Sequence, residues 1–149
     1  MLLYITVGIE EELMFRSVVT ECVLRKNSNI IVFASVYSGL LFGLAHITNF
    51  IFDADMTMFN KWCTMIMACV FGFTLEVIFL RTKSIGVVIT LHFLWDFADF
   101  MNHMMIVERY RYGGSYNALA LQIPVLIVML VIAVFVCINK SAWECKQCF

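Results

Sequence analysis

Long apolar runs alternate along the chain with short clusters of charge, and the runs recur at close to membrane-spanning length. Crossing the hydrocarbon of a bilayer takes about 20 mostly apolar residues in a helix. Five segments approach that length: Met1–Val23, Ile30–Ile47, Trp62–Leu80, Ile85–Met101 and Ala118–Ile138. The last is uncharged throughout, and Pro124 stands near its start, where a membrane helix tolerates it. Met1–Ile9 does not read as a signal peptide, because no basic residue precedes it and it runs directly into Glu10, Glu11 and Glu12. The pattern predicts an all-α, multi-pass transmembrane bundle of about five helices, with residues 1–149 forming a single membrane-embedded domain.

Composition supports that reading. The chain is 62% hydrophobic and 14% charged, with one proline and 14 phenylalanines, and its mean hydropathy is +0.90. Soluble proteins are roughly 45–50% apolar and about 25% charged, and a 149-residue globule leaves too much surface outside to hide the excess. A net charge of −1 leaves no basic face for phosphates, so nucleic acid is excluded as a partner. The expected partners are membrane lipid and a peptide or protein substrate at the membrane. The six cysteines form no evident disulfide framework: Cys22, Cys63, Cys69 and Cys137 lie in or beside apolar stretches, and Cys145 with Cys148 is a lone CxxC without a second pair.

The loops predict an orientation. Arg25, Lys26, Arg81, Lys83, Lys140 and Lys146 fall on one side, against Lys61, Arg109 and Arg111 on the other, so the first set is expected to be cytoplasmic and the N-terminus to face outward. Small residues recur every four positions at Ser35, Gly39 and Gly43 and again at Ala68 and Gly72, a pattern that lets helix backbones approach closely in lipid.

Ionisable groups inside such segments are costly unless they are paired or face a cavity. They are Glu10, Glu11, Glu12, Arg16, Glu21, His46, Glu76, His92, Asp96 and Asp99, with His103 at a helix end. Glu12 and Arg16 are four apart and meet on one helix face, whereas Glu11 points about 100° away from Glu12. Phe42 and His46 share the same spacing, and His92, Asp96, Asp99 and His103 form a polar stripe. Glu76 reads as a snorkelling or partner-helix contact near Arg81. Counted from the presumed cytoplasmic ends at ~1.5 Å per residue, Glu11 and His46 lie ~21 and ~24 Å deep, and His92 and Asp96 only ~10 and ~16 Å.

A carboxylate with a histidine can activate water, the carboxylate taking the proton while the imidazole orients the oxygen. A second histidine with a polar neighbour can stabilise the oxyanion formed at an attacked carbonyl. No serine or cysteine stands as a nucleophile beside a histidine in these segments, and HExxH is absent. Hydrolysis of a peptide bond by activated water fits these groups. The same Glu, His and Asp side chains also suit a divalent metal such as zinc, manganese or iron.

Three motifs then carry a resemblance. Glu11-Glu12-Leu13-Met14-Phe15-Arg16 reads EExxxR, Phe42 to His46 reads FxxxH, and His92 to Asp96 reads HxxxD. In that order, each on its own apolar segment, they resemble the CAAX protease and bacteriocin-processing (CPBP, or Abi) family, which includes the type II CAAX prenyl endopeptidases. The resemblance covers roughly Ile9 to Asp96. It implies a glutamate-dependent intramembrane endopeptidase acting on CAAX-type tails or leader peptides. Glu11 would be the general base and His46 would help bind and activate the water. His92 and Asp96 would stabilise the oxyanion, Glu12 and Arg16 would brace the first helix, and Phe42 and Asn49 would support the cavity. Asp96 stands where the prenyl-protein proteases have asparagine and bacterial relatives often have aspartate.

Members of the family are often labelled metalloproteases. No cofactor is firmly implied here; were zinc bound, Glu11, His46 and His92 would hold it. The chain begins ten residues before Glu11, so the resemblance also implies a domain lacking the family's N-terminal helices, either truncated or minimal. Its short length favours a bacterial plasma membrane. Two rival readings use the same residues: a non-catalytic scaffold or bacteriocin self-immunity protein, and a metal-binding transport or sensing protein built on the stripe His92, Asp96, Asp99 and His103.

Overall fold

The computed structural model describes residues 2–20, 31–52 and 57–111, together with 124, 127–131 and 134–135. Every regular element among the described residues is helical. Helix α1 spans Leu2–Glu12 and passes without a break into a π-helical segment, Leu13–Val19. Helix α2 covers Ile31–Ala45, α3 Ile47–Phe52, α4 Met58–Thr82 and α5 Ile85–Arg111. The chain's single proline is Pro124, so no ring interrupts a backbone hydrogen bond through all of these elements.

The boundaries depart from the sequence expectation in three places. The first segment does not run as one α-helix: it widens at Leu13, and the Thr20 N–H donates to the Phe15 carbonyl five residues back. The second reaches past Ile47 to Phe52, with a tight step at His46, whose N–H donates to the Gly43 carbonyl at 3.1 Å. The fourth continues beyond Met101 to Arg111. The fifth segment, Ala118–Ile138, falls largely outside the described residues, as do Cys145 and Cys148. Of the expected spans, only Trp62–Leu80 falls on a helix with the length and apolarity needed to cross a membrane among the described residues, Lys61–Thr82. Helix α2 is short at 15 residues, α1 with its π segment carries Glu10, Glu11, Glu12 and Arg16, and α5 is diluted by His92, Asp96 and Asp99.

Helices α2 and α4 pack with unusually close backbones. A methyl group built on Gly39 would stand 2.7 Å from the Cys69 carbonyl oxygen and 2.9 Å from the Phe73 nitrogen. On Gly72 it would stand 2.6 Å from Phe42 Cβ, and on Gly43 it would collide with Cys69 Sγ. The small-residue stripe is therefore the contact line between these two helices. Helix α1 lies against α5, and α4 and α5 follow one another across Lys83 and Ser84. Lys83 makes that turn with φ 54°, a left-handed conformation in which its N–H caps the Phe79 carbonyl at 2.8 Å.

The core joins Phe15, Phe42, Ala68, Phe71, Leu75 and Val88. Around it the usual distribution is inverted. Glu12, Arg16, Thr20, Ser35, Ser38, Thr74, Glu76 and His92 are buried, whereas Leu13, Met14, Val18, Val32, Phe33, Leu40 and Leu44 face outward.

Candidate active site

The π segment presents Arg16 inward among acceptors from three other elements. Its Nε donates to Glu12 Oε2 at 2.8 Å, the pair expected from the i, i+4 spacing. Its Nη1 donates to Ser38 Oγ on α2 at 2.8 Å and to Glu76 Oε2 on α4 at 3.2 Å. The guanidinium also sits 5.8 Å from the centroid of the Phe42 ring, within cation–π reach. Thr20, one turn on from Arg16, places Oγ1 2.8 Å from Glu76 Oε1 and 2.9 Å from the Phe15 carbonyl. Glu76 is thus fully buried between Arg16 and Thr20. It is a partner-helix contact and does not snorkel beside Arg81. Five positions on a helix are about 140° apart around the axis, so Glu76 and Arg81 cannot share a face.

Glu12 has a second task. Its Oε1 lies 2.7 Å from His92 Nδ1 on α5, so one carboxylate ties together Arg16 and His92. Phe71 packs against the His92 ring at 5.2 Å between centroids, and Trp95 packs on Phe71 at 5.0 Å. With Nδ1 engaged, the other ring nitrogen points outward. His92 Nε2 stands 3.7 Å from Glu11 Oε2 and 3.7 Å from Asp96 Oδ2. The side chains of Glu11 and Asp96 are 33% and 22% exposed, against 5% for His92 and 0% for Glu12. A sealed layer of Glu12 and Arg16 therefore supports an open layer of Glu11, His92 and Asp96. The counted depths set Glu11 and His92 about 11 Å apart, yet the two side chains lie within 3.7 Å of each other. The count presumed unbroken α-helices standing along the membrane normal, whereas Leu13–Val19 is π-helical; seven residues span only ~10 Å even as α-helix, so the placement of α1 against α5 supplies most of the difference.

His46 reaches the site less directly. Its Nδ1 is 2.9 Å from the Phe42 carbonyl, and a carbonyl only accepts, so the proton is on Nδ1 and Nε2 is left for other partners. The Phe42 ring lies between the two histidines, 5.1 Å from His46 and 5.8 Å from His92. Asn49 belongs to α3, one turn beyond His46. Asp99 is exposed one turn along α5 from Asp96, and His103 follows on the same helix.

Glu11, His46 and His92 do not form a metal-holding cluster, and neither does the stripe His92, Asp96 and Asp99; among the described residues no group of three or more His, Cys, Asp or Glu does. The chemistry the arrangement supports is that of carboxylates and imidazoles around a small gap. Sequence reasoning missed Thr20, Ser38 and Glu76 as the surroundings of Arg16. Only Thr20, at i+4 from Arg16, left a signal in the spacing.

No curated protein and no solved structure matches the chain. A family model does, described as type II CAAX prenyl endopeptidase Rce1-like, over residues 1–98. That family is membrane-embedded. The matched stretch is about two thirds of the chain and contains Glu11 to Arg16, Phe42 to His46 and His92 to Asp96. On that match, the chain belongs to the Rce1-like family of type II CAAX prenyl endopeptidases.

Proposed function

We propose that the chain is a glutamate-dependent intramembrane endopeptidase of the CAAX type, embedded as a multi-pass bundle. One observation carries the reading: His92 is fixed by Glu12 at Nδ1, 2.7 Å away, while Nε2 faces Glu11 and Asp96 across 3.7 Å. Such a separation exceeds a direct hydrogen bond and is one that an intervening oxygen can bridge. The inverted distribution of polar and apolar side chains supports the membrane setting, since apolar outer faces suit lipid and buried charges are then paired inside.

In this mechanism Glu11 accepts a proton from water, and the resulting hydroxide attacks the carbonyl carbon of the scissile bond. The carbonyl π electrons move to oxygen. As the tetrahedral intermediate collapses, the C–N bond breaks and the departing amine takes the proton from Glu11. His46 orients the water through its unprotonated Nε2. His92 meets the oxyanion as an imidazolium Nε2–H donor, with Glu12 as its buried counter-charge. Asp96 flanks the same oxygen and donates from its protonated carboxyl, the only form of an aspartate that can do what an asparagine amide does.

The test uses the full chain in phospholipid nanodiscs with a farnesylated peptide ending in a CAAX sequence, products being read by mass spectrometry. The intact chain should release the tripeptide, and Glu11→Gln and His46→Ala should lose that release while staying folded. Full cleavage by Glu11→Gln would end the assignment of the base. A folded wild-type chain that leaves the prenylated peptide intact would end the CAAX-type reading.

A further inference from the structure

The buried layer beneath the site contains a carboxylate that lies outside the three motifs and touches no open surface. Glu76 belongs to α4, which supplies none of the motif residues. It is fully buried, yet it is held by Arg16 Nη1 at 3.2 Å and by Thr20 Oγ1 at 2.8 and 2.9 Å, with the Ser38 hydroxyl also hydrogen-bonded to it. From Glu76 the polar chain continues through Arg16 to Glu12 at 2.8 Å, and from Glu12 to His92 at 2.7 Å. Each link is sealed from solvent, so nothing else can replace a lost partner.

We propose that Glu76 is a positioning residue for the hydrolytic site, holding Arg16 from the side opposite Glu12 and so fixing the ring orientation of His92. The inference rests on the protease reading above for its kinetic readout. The guanidinium is planar with its donors in a rigid fork, so the direction in which Nη1 is held sets where Nε and Nη2 point. Nε and Nη2 both meet Glu12, at 2.8 and 3.5 Å. With Ser38 alone on Nη1, the fork is free to turn toward that hydroxyl, and the Glu12 carboxylate turns with it. The Oε1 that holds His92 Nδ1 then moves, and Nε2 loses its fixed aim at the gap between Glu11 and Asp96. The π segment belongs to the same device. Its wider turn brings both Arg16 and Thr20 onto Glu76, as π segments at functional sites often do.

The experiment compares wild type with Glu76→Gln, Glu76→Asp and Glu76→Ala in nanodiscs. Cleavage of the farnesylated CAAX peptide gives kcat and KM, and the ring-nitrogen NMR signals of His92 in histidine-labelled protein report whether Nδ1 keeps its hydrogen bond to Glu12 with both nitrogens protonated. Glu76→Gln keeps an acceptor for Arg16 and should match wild type in both. Glu76→Ala should lower kcat about 10- to 100-fold, the scale of a misplaced catalytic group, with KM unchanged and the His92 Nδ1 signal shifted toward that of a ring no longer held by Glu12. Should Glu76→Ala fail to fold, Glu76→Asp takes its place, because its shorter arm withdraws from Arg16 while keeping the charge. A folded alanine or aspartate variant with wild-type kcat and an unaltered His92 spectrum overturns the proposal. So does a fall in kcat with that spectrum unchanged, which would make Glu76 a purely structural residue. If wild type itself does not cleave, the protease reading fails, and the His92 spectrum alone still decides the role of Glu76.

Discussion

Substituting Gly39 by alanine tests the close backbone approach of α2 and α4. A methyl group there would stand 2.7 Å from the Cys69 carbonyl oxygen, 2.9 Å from the Phe73 nitrogen and 2.9 Å from Phe73 Cβ. Two of these three atoms are backbone and cannot rotate away, so α2 and α4 must separate. Inserting a methylene-sized group into a well-packed interior costs about 1–3 kcal/mol, and replacing a mid-helix glycine by alanine returns about 1 kcal/mol. The net expectation is a loss of up to about 2 kcal/mol, with Tm lower by roughly 2–4 °C per kcal/mol. Gly8→Ala is the matched control. Its methyl would meet His92 ring carbons at 3.8–4.0 Å, ordinary contact distance, so only the helix-propensity gain of about 0.5–1 kcal/mol applies. Thermal unfolding in a mild detergent, followed by tryptophan fluorescence, reads both. Equal shifts of the same sign for Gly39→Ala and Gly8→Ala would refute the close approach of α2 and α4.

Gly72→Ala should weaken activity more than stability, because its methyl would meet Phe42 at Cβ, and Phe42 is the ring between His46 and His92; kcat and Tm measured on one preparation check this. Arg16→Met removes the cation from between two buried carboxylates and should cost about 3–5 kcal/mol, read by denaturant titration. Lys83→Gly should stabilise by about 1 kcal/mol in the same titration, since a side chain at φ 54° carries a steric cost that glycine lacks. Asp96→Asn should keep cleavage and Asp96→Leu should lose it, because the role assigned to that position is to donate a hydrogen bond; an inactive asparagine variant would contradict it. Asp99→Asn should cleave like wild type, whereas a metal-transport site would need Asp99 as much as Glu11.

What lies within one helix was legible from the order of residues. The apolar runs located the helices, and the four-residue spacings paired Glu12 with Arg16 and set Phe42 beside His46. The stripe of Gly39, Gly43 and Gly72 marked a tight contact, because only small side chains let two backbones meet. The widening of the first helix left no such mark. Neither did the placement of α1 against α5, which sets Glu11 and His92 on one level despite their different counted depths.

By itself the sequence determined an all-helical, apolar chain carrying the three motifs of its family, since periodicity and motif spacing are properties of neighbouring residues. Only the tertiary structure decided that Glu12 also holds His92, 80 positions away, and that Arg16 reaches Glu76, 60 positions away. The reason is geometric. A helix's own period fixes which residues share a face, but the direction that face takes depends on how each helix is rotated against its neighbours. That rotation was set here by small-residue contacts between α2 and α4 and by a buried network that admits one arrangement of its charges.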